Sequence, residues 1–155
     1  MTKRFHSDLI STIKYNDSNI TNTIKYNSRD LFEIIRMAHN FGNLNCNDAA
    51  TWGRLDLLTY LHEESYPWNE YTCHYAASYG HLECLKYAHE NGCSWDEDTC
   101  SGAAMNGHLE CLRYAHENEC PWNEFTCHYA ASYGHLECLK YAHENGCPWT
   151  SIHVL

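Results

Sequence analysis

Twenty-one residues of this chain occur twice without a single difference. Cys73 to Cys93 reads CHYAASYGHLECLKYAHENGC, and Cys127 to Cys147 reads the same. Between them, Cys100 to Cys120 is a degenerate third copy, CSGAAMNGHLECLRYAHENEC. The three starts are 27 residues apart. A fixed period of this size restricts the chain to architectures in which one supersecondary unit stacks on copies of itself.

Within the unit, Ala76 and Ala77 precede Gly80, and Leu82, Cys84, Leu85 and Ala88 follow it. Both groups have helical spacing. Gly80 is free to take positive φ, so it ends one helix and turns the chain into the next. The small alanines let the first helix lie close against its neighbours. The unit is a helix-turn-helix that cannot bury its apolar face alone.

The run T-C-H-Y-A-A-S-Y-G-H-L-E-C-L-K-Y-A-H-E-N-G-C resembles the helical part of an ankyrin repeat. His74, Ala76, Ala77, Gly80, His81, Cys84, Leu85, Ala88 and Gly92 stand at the places of that pattern. Two features depart from it. The helix-opening Thr-Pro is replaced by Tyr71-Thr72 or Asp98-Thr99, and the period is shorter than the family's usual ~33 residues. The missing residues would belong to the β-hairpin finger between repeats. The resemblance covers about residues 40–147. It implies an all-α, ankyrin-like helical-repeat solenoid without long β-hairpin fingers. Short, Cys- and Trp-rich repeats of this kind resemble those carried in many copies by giant DNA viruses of amoebae.

With 155 residues, the chain has one domain's worth of core. No apolar run approaches the roughly 18 residues of a membrane span, and the N-terminus MTKRFHSDLIST has no apolar signal-peptide core. Ten cysteines without a secretory signal point to reduced thiols in a cytoplasmic setting, that of the host cell if the chain is viral, with a virion as the other location. The net charge of −10 is unevenly spread. Residues 1–54 balance at +2 and residues 55–155 at −12. So acidic a solenoid repels a phosphate backbone, which excludes nucleic acid as the expected partner. No membrane association is expected either.

Residues 1–27 form an N-terminal leader, partly irregular, in which Thr12–Asn16 (TIKYN) returns at Thr23–Asn27. The repeat domain occupies 28–155. It opens with a capping helix at 28–42, whose stripe is Leu31, Ile34, Ile35 and Ala38. Repeats follow at about 43–66, 67–93, 94–120 and 121–147, with a tail at 148–155. Asn69, Asp96 and Asn123 are expected as N-caps of the next first helices. Trp68, Trp95, Trp122 and Trp149 recur in the links and are expected to form a buried ladder that replaces the lost finger. Glu119 stands where Gly92 and Gly146 close their helices, so this helix either runs on or ends under strain.

Cys73, His74, His81, Cys84, His89 and Cys93 invite a zinc- or thiol-dependent reading. Their spacing contains no C-x2-C or C-x4-C knuckle, and Cys84 and His89 lie about 140° apart on a helix. The chain also replaces Cys84 by Leu57 and Cys93 by Tyr66 in its first repeat, as expected of apolar core positions. Equivalent cysteines of successive repeats, about 10 Å apart, are too distant for disulfides. The many Cys–His pairs are all repeated, whereas an active site needs one unique cleft. No catalytic residue, metal ligand or cofactor is therefore assigned. The family pattern gives the turn histidines the role of tying one repeat to the next.

The working surface is expected on the exposed side of the first helices, which lines the concave face in the ankyrin arrangement. It comprises Thr51, Trp52, Tyr75, Ser78, Tyr79, Met105, Asn106, Tyr129, Ser132 and Tyr133. Exposed aromatics on a rigid scaffold are typical protein-contact anchors. The expected function is a non-catalytic protein–protein interaction module, a viral adaptor or decoy for a host protein. The alternatives are the zinc or thiol module and a virion component assembling end to end through an open C-terminal end.

Overall fold

A computed structural model describes residues 44–148. The leader, the capping helix expected at 28–42, Trp149 and the rest of the tail lie outside the described residues. Within them the chain forms four helix pairs and no strand. They are α1 (Cys46–Thr51) with α2 (Leu55–Glu63), α3 (Glu70–Ser78) with α4 (Leu82–Glu90), α5 (Glu97–Met105) with α6 (Leu109–Glu117), and α7 (Glu124–Ser132) with α8 (Leu136–Glu144). The odd-numbered helices pack side by side in one row and the even-numbered in a second. Four-residue links such as Cys93–Asp96 are too short to hold a finger.

Each element starts and stops for a local reason. Asn69, Asp96 and Asn123 are in extended conformation, and their side chains accept from the amides of Tyr71, Asp98 and Phe125 at 3.2, 3.1 and 3.0 Å. These acceptors satisfy one of the orphan donors of each first helix. At the other end Gly80 takes φ +76°. Its amide donates to the Ala77 carbonyl at 3.2 Å and that of His81 to the Ala76 carbonyl at 2.8 Å. This is a Schellman closure, which needs a residue in the left-handed region. Glu119 meets the same demand without glycine's freedom: α6 does not run on but ends at Glu117, and Glu119 is held at φ 67°. The strained outcome is the one realised.

The core is built of small residues with a few leucines. Ala76, Ala77, Ala103 and Ala104 are fully buried on the first helices, and Leu85 and Leu112 on the second. All ten cysteines are free and buried. A fully buried leucine contributes about 1.5–3 kcal/mol of transfer free energy, so the second helices supply most of the large apolar groups while the alanines let the first helices approach.

The tryptophans pack differently from the ladder expected of them. Trp68, Trp95 and Trp122 are half-buried, not buried. Each lies flat on a histidine at the end of the preceding second helix, with ring centroids 3.8, 3.6 and 3.6 Å apart for His62–Trp68, His89–Trp95 and His116–Trp122. Tyr87, Tyr114 and Tyr141, on the second helices of the tryptophans' own repeats, meet the same indoles edge-on at 6.3 Å. Successive tryptophans are a whole repeat apart, too far to stack on one another. Each indole instead forms a cluster with one histidine and one tyrosine.

Candidate functional site

The outward side of the first helices carries two aromatic rows. On α3, Tyr71 stacks on Tyr75 at 6.1 Å, and Tyr79 follows one turn later at the helix end. On α7, Phe125 stacks on Tyr129 at 5.8 Å and Tyr129 meets Tyr133 at 6.5 Å. Residues four apart on a helix lie above one another, which is why each set lines up as a row. Tyr71, Tyr79, Phe125 and Tyr133 are each about half exposed or more, between 49 and 61%. Tyr75 and Tyr129, at the row centres, are half-buried.

Between the rows, α5 carries Asp98, Gly102 and Asn106 at the corresponding positions. Gly102 is buried, and a β-carbon there would collide with the Ser78 hydroxyl and press on the His74 ring. The Asn106 amide nitrogen donates to the Gly102 carbonyl at 3.0 Å. The rows are two helix spacings apart, roughly 16–20 Å, across a low polar floor.

The basic side chains sort by helix row, whereas acidic ones stand on both. Glu70, Glu97, Asp98 and Glu124 stand at the N-terminal ends of the first helices, and α3, α5 and α7 carry no Lys or Arg. Lys86, Arg113 and Lys140 occupy one register position on the second helices. There Lys86 pairs with Glu83 at 3.1 Å and Arg113 lies over the Tyr141 ring at 5.5 Å. The aromatic face is purely acidic at its rim.

Not all of the expected surface residues face outward. Ser78 is buried at 8% exposure, within 3.5 Å of His74 Nε2. Thr51 donates its hydroxyl to the Asn47 carbonyl at 2.8 Å, and its own carbonyl accepts from His81 Nε2 at 3.1 Å. These two act between repeats. Trp52 and Met105 are half-buried, whereas Asn106 and Ser132 are exposed. Tyr71 and Phe125 were not among the expected residues, although the i, i+4 spacing from Tyr75 and Tyr129 marks them in the sequence.

The histidines hold the repeats together. His74 Nδ1 donates to the Asp98 carbonyl at 2.9 Å, and His81 and His108 reach back to the carbonyls of Thr51 and Ser78 in the preceding repeat. Burial keeps both His81 and His108 below the ordinary imidazole range, and His108 is depressed further by His135. Among the described residues, no three His, Cys, Asp or Glu side chains converge as metal ligands would, and no helix is long and apolar enough to cross a membrane. The core thiols Cys84 and Cys111 are pushed up to about 12, mainly by burial.

Residues 73–116 and 100–143 match the family model for ankyrin repeats (many copies). None of the curated proteins compared with the chain matches it. Among the solved structures, the ankyrin repeat domain of human ASB11 superposes with a TM-score of 0.58 at 22% sequence identity. The match covers 67% of this chain and 55% of that one, so the chain spans about half of that domain's length.

Proposed function

Residues 73–143 of this chain are ankyrin repeats, and from that premise we propose that it is a non-catalytic protein–protein interaction module. The observation that carries this reading is the pair of half-exposed aromatic rows on α3 and α7, with acidic residues at the ends of the same helices. Large rigid side chains on a preorganised face contribute contact area at low entropic cost. The absence of Lys and Arg from α3, α5 and α7 selects a partner with apolar anchors and basic neighbours, drawn in by opposite charge. Tyr75, Tyr79, Tyr129 and Tyr133 are the anchors, joined by Tyr71 and Phe125. Asn106 and Ser132 are polar contacts.

The finer reading, a viral adaptor or decoy for a host protein, rests on the resemblance of these short repeats to those of giant DNA viruses of amoebae. The experiment is capture from cell lysate by the immobilised chain and by its Tyr79→Ala, Tyr133→Ala double variant, at low and high salt. A protein with a basic surface, held at low salt by the unaltered chain and lost by the double variant, is the expected result. Equal capture by both would remove the aromatic face from the function.

A further inference from the structure

The sequence singles out ten cysteines that the interaction surface does not use, and the structure sorts them into two kinds. Cys84, Cys111 and Cys138 lie on the second helices at one register position, a whole repeat apart. Six others come together two by two within a repeat. Cys73 and Cys93 are neighbours in the core of one repeat, both buried. Cys100 and Cys120 are placed in the same way, the Cys100 thiol reaching the Cys120 carbonyl at 4.0 Å. Cys127 and Cys147 share one core cluster with Ala142. Cys46 is the exception, since Tyr66 stands where its partner would be and the Cys46 thiol lies 3.8 Å from the Tyr66 carbonyl.

The second cysteine of each pair is anchored in the same way. Cys93, Cys120 and Cys147 donate to the carbonyls of Asn69, Asp96 and Asn123 at 3.2, 3.2 and 3.3 Å. Each therefore sits at the close of a second helix, tied to the cap of its own repeat's first helix, with the other cysteine beside it. The separation between the paired cysteines is 20 residues in all three repeats. Disulfides between equivalent cysteines of different repeats remain barred by distance, but these pairs lie inside one repeat, where the repeat spacing does not hold the two sulfurs apart.

We propose that Cys73–Cys93, Cys100–Cys120 and Cys127–Cys147 are three oxidisable thiol pairs, each closing to a disulfide that staples one repeat. The oxidant class is a small disulfide such as oxidised glutathione. Once the link opens, Cys93, Cys120 or Cys147, at 3–4% exposure the less enclosed member of its pair, loses its proton to solvent, and its thiolate attacks one glutathione sulfur, breaking the glutathione S–S bond and releasing one glutathione thiolate. The neighbouring Cys73, Cys100 or Cys127 then gives up its proton to solvent and attacks the protein-side sulfur of the mixed disulfide. The second glutathione leaves. Two protein thiols are oxidised and one glutathione disulfide is reduced to two thiols. Burial of the sulfurs makes the exchange slow, and it proceeds through opening of the short links. Each staple closes a loop in the unfolded chain and so stabilises the folded repeat.

The test equilibrates the unaltered protein with oxidised glutathione and a catalytic amount of reduced glutathione, then alkylates the remaining thiols. Intact mass and peptide mapping identify the bonds. The expected result is a loss of two hydrogens per bridge, up to three bridges at the stated pairs, with Cys46, Cys84, Cys111 and Cys138 alkylated. The oxidised form should melt at higher temperature than the reduced form. The Cys93→Ala variant should lose one bridge and keep the other two, and Cys84→Ala should keep all three. Bridges joining other cysteines, glutathione adducts that never resolve, or no oxidation at all would each overturn the assignment.

Discussion

The imidazole of His81 lies directly against the α-carbon of Gly53, so that a β-carbon on Gly53 would run into the ring. The relationship repeats as His108 on Gly80 and His135 on Gly107. One glycine thus serves two ends: its positive φ closes the first helix, and its bare α-carbon admits the turn histidine of the next repeat. The histidine in turn reaches a backbone carbonyl beyond it, as His81 reaches Thr51. Inter-repeat coupling runs through this contact as well as through the apolar core.

Glycines at the same turn should therefore tolerate alanine unequally. Gly134 has φ +77° but no described atom within 4 Å of an added β-carbon. Gly134→Ala should cost only the left-handed strain, about 1–2 kcal/mol. Gly80→Ala adds a clash with His108, an overpacking cost of about 1–3 kcal/mol more. Urea unfolding of the two variants decides it, and equal destabilisation would contradict the double role.

Glu119 offers the reverse substitution. It is held at φ 67° where Gly146 stands at φ 78° in the next repeat, and its side chain is exposed. Glu119→Gly should raise stability by about 1 kcal/mol, the relief of strain exceeding the added freedom of the unfolded chain. A fall in the urea midpoint would show that the strain is not there.

Mild acid should weaken the array. Burial lowers His81, His108 and His116 below their ordinary value of 6.5. A base whose native pKa is depressed binds fewer protons folded than unfolded. Its contribution is therefore unaffected above 6.5 and is lost as pH falls through 6.5 toward the native values. Melting temperature should be flat between about pH 7.5 and 7 and decline from about pH 6.5 to 5.5, before most carboxylates titrate. Stability that rises on acidification over that window would show that the buried imidazoles are not neutral.

Binding through the aromatic rows predicts a clear contrast between the two helix rows. Tyr79→Ala with Tyr133→Ala should weaken the partner complex by about 2 kcal/mol or more if these rings are hot spots. Lys86→Ala with Lys140→Ala, on the second helices, should matter less. Raising salt should slow association more than it speeds release. Loss of binding in the lysine pair alone would move the working surface to the other row.

What the sequence determined by itself was whatever follows from one repeat. The 27-residue period, the alanine pair, the glycine turn and the Asn or Asp caps act locally, so they specify helix pairs and their stacking without knowledge of the neighbour. The face was legible in part for the same reason, because a helical period marks the row of Tyr75 and Tyr79. Tertiary structure decided what depends on two repeats at once. It withdrew Ser78 from the surface, because that side chain fills the space Gly102 leaves. It laid each tryptophan on a histidine, because a repeat spacing of about 10 Å separates the indoles. It also brought Cys73 to Cys93, since a contact 20 residues apart in sequence is set by how two helices cross, and no local pattern encodes the crossing.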